Sequence, residues 1–154
     1  MYQRILVPID GSPTAADGMA EAVKLAKLTN GQIRLMHVVD QLSYVAGFEG
    51  YGSLTADVIK VMNEAGERIL REAKAQVEGE GVPVDTVLFD GFSGRVSDHV
   101  VEQAKSWNAD VIVLGTHGRR GIRRLVIGSD AEQIVRNAPV PVLLVRPRET
   151  EAAK

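Results

Sequence analysis

The stretch RILVPIDGSPTAADGMAEAVKLAKLTNGQIRLMHVV, residues 4–39, decides the fold. Residues 4–9 (RILVPI) form a short apolar run without alternation, the pattern of a strand buried on both faces. The next residues, DGSP, break it. Ser12 before Pro13 is a helix start: a hydroxyl to cap, then a proline whose missing N–H is no loss at the first helical position. Met19, Val23 and Ala26 then recur on one helical face as far as about Leu28. Asn30–Gly31 is a stop. Residues 32–39 (QIRLMHVV) read as a second strand. Two strands joined by a helix of this length run parallel, because parallel neighbours need a crossover of a dozen or more residues.

The same alternation continues outward. Residues 40–56 hold Asp40, Tyr44, Gly47, Phe48, Gly50, Tyr51 and Gly52, and read as a loop. A helix over about 57–78 carries Val58, Met62, Ala65, Ile69 and Ala73 at helical spacing. Strand three is VDTVLF (84–89). Helix three spans about 94–107, with Val96, Val100 and Trp107 inward. Strand four is DVIVL (110–114). A short helix at about 130–137 and strand five, Pro141–Val145, close the series. The predicted class is α/β: an open, Rossmann-like, five-stranded parallel sheet with helices on both faces. Residues 1–147 read as a single domain and residues 148–154 as a flexible tail. There is no internal repeat and no low-complexity segment.

Composition narrows the function. The chain has 154 residues, is 45% hydrophobic and carries a net charge of −2 with a pI near 5.9. Bulk charge therefore gives no reason to expect nucleic acid or an acidic membrane as partner. There is no cysteine, which removes disulfides, thiolate metal sites and cysteine nucleophiles and suits a reducing compartment. The apolar run before Asp10 is short for a signal peptide, and a membrane span needs about 20 apolar residues. The expectation is a soluble, cytoplasmic protein.

Positive charge is instead local. Residues 115–129, GTHGRRGIRRLVIGS, hold Gly115, Gly118, Gly121 and Gly128 together with Arg119, Arg120, Arg123 and Arg124, and no acid. The segment runs from strand four to the last helix. In an order 3-2-1-4-5, ligands bind beyond the carboxyl ends of strands one and four, where the winding reverses. Asp10 would then face Gly115. Glycines let the chain take positive φ and let a phosphate approach backbone N–H groups. Gly115 and Gly118 would shape the turn. Gly128 and Ser129 would open the helix, where free N–H groups and the helix dipole favour anions. The structural alternative is that Ser129 and Glu132 form a capping box and that the arginines are a solvated face. Asp10 has no capping duty, since Ser12–Pro13 supplies the cap, and its carboxylate is expected to be free. Neither G-x-x-x-x-G-K-[ST] nor G-x-G-x-x-G after strand one occurs. His117 has no sequence-local acid partner and reads as a loop residue. His37 reads as a strand-end residue, His99 as a helix-face residue and Trp107 as core.

In this pattern the sequence resembles the universal stress protein family. Its nucleotide-binding branch carries G-x2-G-x9-G-[ST] after strand four, and Gly115, Gly118, Gly128 and Ser129 match without a gap. VPIDGS with Pro8 and Asp10, HVVD at the end of strand two, and PVPVLLV extend the likeness to about residue 147. The resemblance implies strand order 3-2-1-4-5 and an adenine nucleotide, ATP or AMP/ADP, with Mg2+ as a candidate companion. It places Asp10, after Pro8 and Ile9, on the ribose or adenine side and the main chain of Val38 at the adenine edge. Gly115, Thr116, Gly118, Arg119, Gly128, Ser129, Asp130 and Ala131 would surround ribose and phosphates. It also implies a homodimer through strand five, an apolar edge that invites pairing with a second copy. Three functions follow. The first is a nucleotide-responsive regulatory module without efficient catalysis. The second is a slow ATPase or phosphoryl or nucleotidyl transferase, with Asp10 as a metal-side carboxylate and Asp130 as a second acid if it turns inward. The third is a vestigial site on a protein that works through its surface. The aromatic residues Tyr44, Phe48 and Tyr51 read as a lid or as a partner contact.

Overall fold

The computed structural model describes residues 1–41, 44–45, 55–91, 93–116 and 127–147. Among the described residues, strands alternate with helices: β1 Arg4–Pro8, α1 Pro13–Thr29, β2 Gln32–Asp40, α2 Ala56–Gly79, β3 Val84–Gly91, α3 Val96–Ser106, β4 Val111–Gly115, α4 Ser129–Asn137 and β5 Val142–Val145. All pairings are parallel and the order is β3-β2-β1-β4-β5. The expected class and order are those observed.

The unalternating run in β1 has its cause in two cores. Ile5 and Val7 point to one face and join Met19, Val23 and Ala26 of α1, and Leu70 and Val77 of α2. Leu6 points to the other and joins Met36, Ile112 and Leu114 of the sheet, Val100 of α3 and Ile134 of α4. A strand clad on both sides has no polar face to show. Ile5, Leu6, Leu35 and Ile112 are completely buried. Each side chain of that size contributes roughly 1.5–3 kcal/mol relative to exposure.

The local signals act as read. Ser12 Oγ accepts the Ala15 N–H at 3.2 Å and so caps α1. Asn30 takes the left-handed conformation at φ 51° and returns its N–H to the Ala26 carbonyl, ending the helix. The α2 face is rotated a little from the one read, with Ala73 common to both. The buried stripe of α2 is Gly66, Leu70, Ala73 and Val77, while Val58, Met62, Ala65 and Ile69 are only half-buried beside it. Gly66 sets this rotation. A Cβ there would stand 2.8 Å from His37 Cδ2 and 2.9 Å from Leu88 Cδ1, so the helix lies closest to the sheet where it has no side chain. β3 also runs two residues further than the sequence implied, to Gly91.

Candidate functional site

The winding reverses between β1 and β4, which lie side by side with Ile5 opposite Val111 and Leu6 opposite Ile112. Beyond their carboxyl ends the chain departs to opposite faces, to α1 from β1 and towards α4 from β4. That leaves a crevice, and two helix N-termini border it.

The β1 side is closed by its own polar groups. Pro8 is half-buried. Ile9 is buried; its N–H donates to the Met36 carbonyl at 2.8 Å, and its carbonyl accepts from His37 Nδ1 at 2.8 Å. A carbonyl only accepts, so the His37 proton in this contact sits on Nδ1. Asp10 is exposed at the crevice, but its carboxylate is not free as expected: Oδ1 accepts the Ser12 N–H at 2.9 Å. The aspartate forms a local turn that presents Ser12 to α1.

The β4 side is built differently. The capping box that Ser129 and Glu132 offered as the structural alternative does not form. The helix starts one residue earlier than that box requires, with Gly128 as N-cap and no side-chain cap bond. Glu132 is drawn along the helix to Arg136 Nη2 at 2.8 Å. Gly128 is held by its N–H, which donates to the Thr116 carbonyl at 3.2 Å, and Thr116 in turn donates to the Val145 carbonyl at 3.0 Å. These two bonds fix the first turn of α4 over the end of β4. The first helical bond runs from the Glu132 N–H to the Gly128 carbonyl at 2.9 Å. The N–H groups of Ser129, Asp130 and Ala131 therefore have no intrahelical acceptor and none among the described residues. Ser129 is exposed; Ala131 packs on the second core cluster.

The glycines at this junction do separate jobs. Gly115 does not take positive φ, contrary to its expected turn-forming part. It is needed for packing: a Cβ there would collide with the Thr14 carbonyl and lie 3.1 Å from the Ala15 nitrogen. Gly18 faces it, its own Cβ position 3.0 Å from the Gly115 nitrogen. α1 thus docks backbone to backbone on the end of β4, a contact the sequence reading missed because a glycine inside a helical pattern carries no local signal. Gly128 has neither constraint. Its φ is −55°, and an added Cβ would come no nearer than 4.0 Å to the described atoms, at the Thr116 carbonyl.

Acidic groups gather around this junction. Partial removal from water pushes the Asp130 pKa up from 3.8, the charge of Asp40 pushes it further, Arg95 pulls it back and Asp10 adds a smaller push. Asp130, the second acid that the sequence offered if it turned inward, is nonetheless exposed, so solvent screening blunts these effects. Asp40, read as the start of a loop, ends β2, and Arg95 precedes α3; neither was singled out.

Val38 lies in β2 opposite Phe89 and packs against the second core cluster. His99 lies against Phe89, with ring centroids 5.3 Å apart. Trp107 is half-buried and not fully core: the Arg34 guanidinium lies 4.6 Å from its ring centroid. Gly118, Arg119, Arg120, Arg123, Arg124, His117, Phe48 and Tyr51 lie outside the described residues. No helix among the described residues is long and apolar enough to cross a membrane.

Strand order and connections define an open parallel α/β protein whose winding reverses between β1 and β4. The universal stress protein family model matches residues 1–146, and the chain belongs to that family. A universal stress protein of Methanocaldococcus jannaschii is 32% identical over 152 residues, covering 98% of this chain and 86% of the relative. A family member from Burkholderia pseudomallei has the same fold, with a TM-score of 0.75, 29% identity and coverage of 95% and 96% of the two chains. The universal stress protein from Archaeoglobus fulgidus in complex with dAMP matches with a TM-score of 0.65 and 23% identity over 93% of this chain and 97% of its own. At that identity the match speaks for the fold.

Proposed function

We propose that this protein binds an adenine nucleotide in the β1/β4 crevice and acts as a nucleotide-responsive regulatory module without efficient turnover. One observation carries the reading. The first turn of α4 presents three N–H groups without acceptors among the described residues, behind an N-cap glycine that neither φ nor crowding requires. A backbone nest of this kind suits a phosphate. The glycine spacing Gly115, Gly118, Gly128 and the hydroxyl of Ser129 agree with it. Asp10, beside Pro8 and Ile9, is proposed to serve the ribose side, and the proposal assigns Arg119, which lies outside the described residues, to the phosphates. The dAMP of the Archaeoglobus relative belongs to that protein; here it guides the choice of probes. Thermal melting with AMP, ADP and ATP tests the proposal, since a ligand of the native state raises stability as RT ln(1+[L]/Kd). A rise in melting temperature that saturates is expected. No rise with any of the three, and no nucleotide released from the heat-denatured protein, would overturn it and leave the surface-mediated role.

The gathering of Asp10, Asp40 and Asp130 favours a second reading, slow ATP hydrolysis or phosphoryl or nucleotidyl transfer. Among the described residues no three His, Cys, Asp or Glu side chains converge to hold a metal ion. Many turnovers per minute, lost on Asp10→Asn or Asp130→Asn, would establish the catalytic reading over the regulatory one.

The protomer is proposed to pair through β5 in a homodimer. β5 is the last strand of the sheet, and Leu143 is 40% exposed on it, with Val135 of α4 43% exposed. Size-exclusion with light scattering at micromolar concentration should give twice the chain mass; a monomer would remove the pairing. A cytoplasmic location completes the reading, with no part for nucleic acid or membrane.

A further inference from the structure

We propose that Asp130 makes this site selective against phosphate charge, so that in the absence of divalent cation it takes an adenine mononucleotide in preference to the triphosphate. The inference rests on the nucleotide reading and goes beyond it, to which nucleotide is held and by what.

The argument starts from placement. Gly128 is fixed to the Thr116 carbonyl at 3.2 Å, so Asp130, two residues on, lies in the same first turn whose N–H groups face the crevice. β1 adjoins β4, and Asp10 follows β1 directly. β2 adjoins β1 on its other side, with Pro8 opposite Met36, and Asp40 ends β2. Three carboxylates from three neighbouring elements thus stand at one edge of the sheet. The placement agrees with the direction of the Asp130 pKa, raised first by partial burial, then by Asp40, with Arg95 opposing and Asp10 adding a smaller push.

A helix N-terminus attracts an anion through its free amides, and a carboxylate in the same turn repels it. The two effects scale differently with ligand charge. The amides contact a few phosphate oxygens whichever nucleotide is bound. The repulsion acts on every charge of the polyphosphate within reach. At about 6 Å, and with the dielectric between interior and bulk values, each added unit charge is disfavoured several-fold. AMP carries about two charges at neutral pH and ATP about four, so the penalty falls chiefly on ATP. Asp10 gives part of its charge to the Ser12 N–H. Asp130 has no comparable bond to an amide among the described residues, which makes it the main carrier of the effect.

The test is calorimetric titration of AMP and ATP at low ionic strength with EDTA present, on the wild type, on Asp130→Asn and on Glu67→Gln. The last variant makes the same change in net charge on the exposed face of α2. The expected result is AMP binding more tightly than ATP in the wild type. The ATP-to-AMP affinity ratio should rise about tenfold in Asp130→Asn and stay within about twofold in Glu67→Gln. Nucleotide binding with the same ratio in Asp130→Asn as in the wild type would overturn the selectivity while leaving the site intact. Equal rises in both variants would also overturn it, by assigning the effect to net charge. Failure of both nucleotides to bind any of the three proteins would defeat the nucleotide reading and this inference with it.

Discussion

Two helices begin at the same crevice and are finished in opposite ways. α1 is closed by its own side chains: Ser12 Oγ accepts the Ala15 N–H, and Asp10 Oδ1 accepts the Ser12 N–H. α4 is left open: Gly128 offers no side chain, and Glu132, the residue placed to complete a box, turns to Arg136 instead. The solvent and the sheet are the same for both. The difference is how many donors are spare: among the described residues α1 leaves the Thr14 N–H, while α4 leaves three in succession. α1 serves as the wall against which β4 is set, through Gly18 and Gly115.

That contrast breaks in several places if it is wrong. The largest effect is expected at Gly115→Ala, whose new methyl would meet the Thr14 carbonyl, part of a backbone that cannot rotate aside. We expect a loss of about 3 kcal/mol, at the upper end for overpacking, read as a fall in the denaturation midpoint. Unchanged stability would mean that α1 and β4 are not docked this closely. Next is Ser12→Ala. Losing the α1 cap should cost about 1 kcal/mol and leave the nucleotide-induced rise in melting temperature in place, because the cap serves the helix alone.

Asp130 gives a smaller, pH-dependent effect. Its folded pKa is raised, so the ionised carboxylate is disfavoured in the native state. This penalty is present in full above the folded pKa. It fades as pH falls through that value and is gone below the unfolded pKa near 3.8, where both states are protonated. Asp130→Asn should therefore be the more stable protein at neutral pH, by less than about 1 kcal/mol given its contact with solvent, and should match the wild type in acid. A deficit at neutral pH would show that the helix dipole outweighs the neighbouring carboxylates. The smallest change is Gly128→Ser, which gives α4 the cap it lacks. Stability of the ligand-free protein should rise by a few tenths of a kcal/mol, while the nucleotide-induced rise in melting temperature shrinks. Stability and binding moving together would erase the distinction between the two helix starts.

How much of this the sequence disclosed depended on whether the deciding interaction is local. The buried strand RILVPI, the Ser12–Pro13 start and the Asn30–Gly31 stop act within a few residues of themselves and were legible. Strand order came from family resemblance. The capping box failed because a tertiary bond, Gly128 to Thr116, sets where α4 begins. Gly115 was read as a turn former, yet its need comes from Thr14, a hundred residues away in sequence. The carboxylate of Asp10 was expected to be free because its competitor for the cap, Ser12, was treated as a rival; the two act in series. Asp40 and Arg95 reach Asp130 only through the sheet order, and no spacing announces them. The alternating glycines and arginines of 117–126 remain legible only as sequence.

The most direct measurement is an amide-resolved NMR titration of the protein with AMP. The account predicts that the N–H resonances of Ser129, Asp130 and Ala131 move most strongly, with Thr116 and Gly128 alongside them, while Ala15 in the capped first turn of α1 stays nearly still. Saturable shifts centred on α1 or away from the β1/β4 crevice, with the first turn of α4 unmoved, would contradict it.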